Sequence, residues 1–142
     1  MTKVRTINIA KTSWEKREWG VDHLPAIQSE NMEMHFKKVL PNSIGVAHIH
    51  ECDTLYYVLK GTVISISGNQ LEHISVQATG SFVHVPRNLL HTVANLSKNE
   101  EAITVVAHNA LNVNDSTNIF PEYNNKLQSI FSKLKLNEDH YR

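Results

Sequence analysis

The chain has 142 residues, with 14 Lys plus Arg against 14 Asp plus Glu and a formal net charge of zero. That length fits one domain with its own core. The balanced charge excludes the basic footprint of a nucleic-acid binder and any attraction to an anionic membrane surface. Cys52 is the only cysteine, so no internal disulfide forms and a reducing compartment is expected. No run of about 18 apolar residues is present to span a bilayer, and Met1–Ala10 has no apolar leader. The expectation is a cytoplasmic protein with no nucleic-acid or membrane partner. Nine histidines are the compositional oddity.

Residues 1–31 read as an extended lead-in, with Trp14 and Trp19 set among charges. Each either covers an edge of the core or anchors a subunit contact. From Met32 to Asn42 the chain alternates as a strand and stops at Pro41. Leu55–Ile66 reads as two strands bent at Gly61, and Gly68-Asn69 turns the second back onto Leu71–Val76. Strands over 81–85, 91–95 and 102–108 follow, separated by Pro86-Arg87-Asn88 and by the polar loop Ser97–Glu101. Roughly seven or eight short strands with no helical period between them predict an all-β sandwich, jelly roll or barrel. After Pro121, Leu127, Ile130, Phe131 and Leu134 fall on one helical face within Lys126–Leu136. The preferred reading docks this helix on the barrel, with a second subunit as the alternative. The expected organisation is an N-terminal segment 1–31, a barrel 32–123, and a helix and tail 124–142 that frays after Asn137, all in one domain.

Chemistry concentrates at His48-Ile49-His50 and at His91. Residues i and i+2 of a strand face the same way, so His48 and His50 can aim both imidazoles at one point. His91, on another strand, can complete a face of nitrogen donors for a divalent transition metal. Gly80 permits a tight entry, and Pro86 ends a ladder so that the next strand swings His91 back. Asn95 can tie that strand's exit to nearby backbone. The ordinary alternative is a pair of polar residues on a half-exposed strand plus a core histidine bonded to a carbonyl. The intact spacing of the second block weighs against it.

These blocks resemble the two signatures of the cupin superfamily, Gly-x5-His-x-His-x3,4-Glu-x6-Gly and Gly-x5-Pro-x-Gly-x2-His-x3-Asn. The first reads Asn42 (for Gly), His48, His50, Thr54 (for Glu) and Gly61. The second reads Gly80, Pro86, Asn88 (for Gly), His91 and Asn95. Leu71-Glu72-His73, Val105–Asn109 and Asn112–Tyr123 resemble small bacterial RmlC-like cupins, often labelled predicted mannose-6-phosphate isomerases. The resemblance implies a single-domain cupin jelly-roll β-barrel, a homodimer, and one divalent metal (Fe, Mn, Zn or Ni) held inside by His48, His50 and His91. With Thr54 in place of the family's glutamate, Asp53 ranks first among oxygen ligands if a bulge rotates it inward. A three-histidine site completed by water is the other arrangement.

Tyr56 shares strand parity with His48, His50 and Thr54, and is a candidate substrate contact or acid. His84 is a candidate pocket-lining base, and His108 a candidate for orienting a bound molecule. Cys52 reads as a small buried hydrophobe, and His23, His35, His73 and His140 as surface or structural. Three functions compete for a small-molecule ligand in the barrel. They are a metal-dependent isomerase-type enzyme on a small polar, sugar-like molecule, an iron-dependent dioxygenase, and a non-catalytic binding or sensing cupin.

Overall fold

A computed structural model describes residues 3–16, 21–111 and 116–138. Trp19, His140, the tail after Glu138 and part of the Asn112–Tyr123 stretch lie outside them. Twelve strands occur among the described residues: β1 (Glu15–Lys16), β2 (Asp22–Gln28), β3 (Glu33–Val39), β4 (Ser43–Ile44), β5 (His48–His50), β6 (Thr54–Lys60), β7 (Val63–Ser67), β8 (His73–Gln77), β9 (Phe82–Val85), β10 (His91–Asn95), β11 (Ala102–His108) and β12 (Thr117–Ile119). The first sheet runs β1-β2-β3-β11-β6-β9. The second runs β12-β5-β10-β7-β8, with β4 also on β10. Every pairing is antiparallel.

The turns follow from backbone freedom. Gly61, between β6 and β7, has φ +77°, and a Cβ there would stand 3.0 Å from the Ala102 Cα. Both constraints demand glycine. Asn88 (φ 63°) and Asn42 (φ 51°) also lie in the left-handed region. These are the two positions where the cupin signatures carry glycine and this chain carries asparagine, the side chain that best tolerates that conformation. The substitutions therefore preserve the turns.

Alternation then sorts the side chains. Val39, Tyr56, Val58, Val93 and Val106 point between the sheets and form the interior core. The second sheet's outer face carries Ala47, Ile64, Ile66 and Leu90, and α1 (Asn124–Leu136) lies on it. Leu127, Phe131 and Leu134 of α1 are buried there, each contributing about 1.5–3 kcal/mol from removed apolar surface. The helix docks on its own barrel, as its periodicity suggests.

The barrel begins earlier than residue 32. Asp22–Gln28 was expected to be lead-in, yet it pairs with β3 along its length. Pro25 obscures it in the sequence, and the pairing shifts register between Pro25 and Ile27, as a proline in a strand requires. Trp14 is exposed, with Lys38 Nζ 4.1 Å above its ring.

Candidate metal centre

β5 is three residues long, with His48 and His50 buried inward and Ile49 turned out toward the helix-backed cluster. β10 lies beside it with His91 directly opposite His48. The three rings converge: centroids are 4.3 Å apart for His48 and His91, 4.7 Å for His48 and His50, and 5.2 Å for His50 and His91. One donor nitrogen from each lies within 4.8 Å of the others.

The outer nitrogens decide which atoms face the centre. His48 Nδ1–H donates to the Val46 carbonyl at 2.7 Å, and His91 Nδ1–H to the Leu89 carbonyl at 2.9 Å. A carbonyl only accepts, so both rings carry their proton on Nδ1 and keep a lone pair on Nε2. His50 Nδ1 is hydrogen-bonded to Thr117 Oγ1 at 2.7 Å. Such partners fix ring orientation in metal sites. Burial lowers the pKa of all three: His48 well below 6.5, His50 to about 2 and His91 to about 4, with neighbouring histidines adding to the shift at His48 and His50. Neutral imidazoles are the form that binds a metal. The residues fit a divalent transition metal: His48, His50 and His91 would hold it, and it would supply Lewis acidity with open coordination positions.

Around the triad lie Lys37, Thr54, Tyr56, His108 and a ring of valines enclosing about 20 Å³ of free space, roughly the room of one water. Tyr56 Oη donates to Gln77 Oε1 and lies 3.1 Å from Ser65 Oγ. Burial pushes its pKa up to about 12, so it stays protonated. His108 Nδ1 is 2.8 Å from Thr54 Oγ1, and burial lowers its pKa to about 3. Thr54, in the glutamate position, thus holds a histidine. Cys52 is buried in the core.

Asp53 and His84 do not join the site. Asp53 Oδ1 accepts from His84 Nε2 at 3.3 Å and from the Arg87 backbone N–H at 3.2 Å, both on the outer side. The His84 bond, then the Arg87 N–H, holds its carboxyl below the ordinary range. The chain bends between β5 and β6, and Cys52 and Thr54 on either side are buried while the Asp53 side chain is left exposed.

Three features around the site were not read from the sequence. Lys37 is inward on β3, its Nζ 4.7 Å over the Tyr56 ring, and burial lowers its pKa to about 8. Its parity with His35 was the available signal. Of the two readings for His23 and His35, surface or structural, burial selects the second, with ring centroids 4.0 Å apart. Thr117, on β12, had no signal at all.

Two antiparallel sheets rolled around an inward three-histidine cluster define a β-barrel protein with a cluster that could hold a metal ion. The cupin family profile matches residues 6–135, and the chain belongs to the cupin family. No curated protein matches it. Among solved structures it is similar to the polyketide cyclase RemF from Streptomyces resistomycificus (19% identity, 75% of this chain and 79% of that one, TM-score 0.66). It is also similar to an RmlC-like cupin from Shewanella frigidimarina (15% identity, 75% and 90%, TM-score 0.62). A third is oxalate decarboxylase from Bacillus subtilis (17% identity, 83% and 33%, TM-score 0.68). At these identities the likeness is one of fold. No described helix is long and apolar enough to cross a membrane.

Proposed function

We propose that the protein is a metal-dependent enzyme that moves a proton on a small polar, sugar-like molecule, an isomerase-type reaction. One observation carries this reading: three neutral imidazoles converge inside the barrel, and His48 and His91, their tautomers fixed by carbonyls, present Nε2 lone pairs there. The bound metal would polarise a carbonyl or hydroxyl of the ligand. The small enclosed space admits only the reacting end of such a molecule. Lys37, its pKa lowered by burial to about 8, is suited to take and return a proton. Tyr56 holds its proton and donates a hydrogen bond. His108, tied to Thr54, closes the wall beside them.

An iron-dependent dioxygenase is the second reading. It is favoured by a cavity of about 20 Å³, suited to a diatomic molecule. The exposed apolar outer face of the first sheet, with Met34, Leu55 and Phe82, supports the homodimer.

Metal analysis of protein purified without added metal separates the readings. Zinc or manganese, with turnover in a screen of sugar phosphates, supports the isomerase; iron with ligand-dependent oxygen uptake supports the dioxygenase. Metal and ligand binding without turnover would leave a sensing cupin. Full metal content in a His48→Ala, His50→Ala double variant would overturn the site.

A further inference from the structure

We propose a second metal site in the first sheet, formed by Glu33, His35 and His108 and taking a divalent transition cation such as zinc. It does not rest on the function proposed for the His48, His50 and His91 centre.

Glu33 and His35 are i and i+2 on β3, so both face inward. His108 is the cross-strand partner of Glu33 on β11. The His35 and His108 rings stack with centroids 5.0 Å apart, and His35 Nδ1 is 4.0 Å from Glu33 Oε1. One donor atom from each residue lies within 4.8 Å of the other two. Donors around a bound zinc stand roughly 3–3.5 Å apart, as bonds of about 2.0–2.2 Å dictate, so the three side chains draw together on binding. Two imidazoles and a carboxylate are a familiar donor set for zinc and ferrous iron.

The charge balance also suits a cation. Lys37, two residues along β3, faces the same interior and opposes a metal there. The Glu33 carboxylate, only 14% exposed, offsets that ammonium, and the first centre has no such anion among its donors. The cluster borders two spaces. A cleft of about 350 Å³ lined by Arg5, Gln28, His23, Glu33 and His35 reaches two of its donors, while His35 and His108 also line the small cavity of the first centre. A cation can reach Glu33 and His35 from that cleft.

The test is a Co²⁺ and Zn²⁺ titration of the chelator-stripped full chain, followed by visible absorption and by native mass spectrometry. Wild type is expected to bind two ions per chain. Glu33→Gln should lose one of them or weaken it at least tenfold, while His48→Ala, His50→Ala should lose the other. His35→Gln repeats the first arm should Glu33→Gln fail to fold. Two ions retained in both the Glu33→Gln and His35→Gln proteins would overturn the second site. So would a single wild-type ion that disappears only in the His48, His50 variant. A single ion lost with Glu33→Gln yet kept in that double variant would support the second site and sink the first.

Discussion

Each sheet turns three histidines inward, His23, His35 and His108 from the first and His48, His50 and His91 from the second, but the sheets are finished differently. The second is backed by α1, and Ile49, between two of its histidines, packs toward that helix-covered cluster. The first leaves Leu55 58% and Phe82 87% exposed on its outer face. Inside, His48 and His91 are pinned to main-chain carbonyls two residues before them, whereas His108 rests on the Thr54 side chain. Donors fixed by local backbone on a strand with a packed back are held in place before a ligand arrives. The lesson is that the rigid cluster is the one whose reverse side the chain covers itself.

The comparison breaks most visibly at α1. Phe131→Ala should destabilise the fold by about 3–5 kcal/mol in urea unfolding, and an unchanged midpoint would mean that the helix does not support the second sheet. Next, His91→Ala should weaken zinc binding at least about 100-fold in competition with a chelator, since even outer partners of metal ligands carry up to that much. Acid probes both sheets together. The folded pKa values of His50, His91 and His108 lie at about 2, 4 and 3, below the ordinary 6.5, so the folded protein binds fewer protons than the unfolded chain. Stability of the metal-free protein is therefore full above about pH 6.5 and falls as the pH drops toward 4, by up to ~1.4 kcal/mol per pH unit for each imidazole. His91→Gln and His108→Gln should each flatten that slope; a slope indifferent to both would show that these rings are not neutral in the fold. Thr117→Val, which removes the partner of His50, should lower zinc affinity about tenfold. Smallest of all, Phe82→Ser should change stability by less than about 0.5 kcal/mol, while sedimentation should show a shift toward monomer if the bare face pairs with a second copy.

Much of this was legible in the chain. Gly61, Gly68, Pro86 and the polar loop at Ser97 marked where strands end, because few residues satisfy those turns. Strand parity paired His48 with His50 and Thr54 with Tyr56, but the chain bends at Glu51 and Cys52 and passes from the second sheet to the first between the two pairs, leaving Asp53 outside. What stayed hidden depends on pairing between distant segments. β2 contains Pro25 and lacks clean alternation, so only its ladder with β3 makes it a strand. Thr117 meets His50 across 67 positions. Lys37 and His35 read as unremarkable members of a charged strand until β11 and β6 close over them. The Glu33, His35 and His108 cluster needs the cross-strand register, which no local pattern encodes.

Asn95 carries a last consequence. Its Nδ2 donates to the Val39 carbonyl on β3 and to Glu100 O, while its Oδ1 accepts from the Ser97 backbone N–H. One side chain thus fastens a strand of the second sheet to a strand of the first. In a chain with a lone cysteine, this amide serves as the cross-link that a secreted barrel would make from sulfur. Because the fastening contains no reducible bond, thiol reductants should leave the seam between the sheets intact.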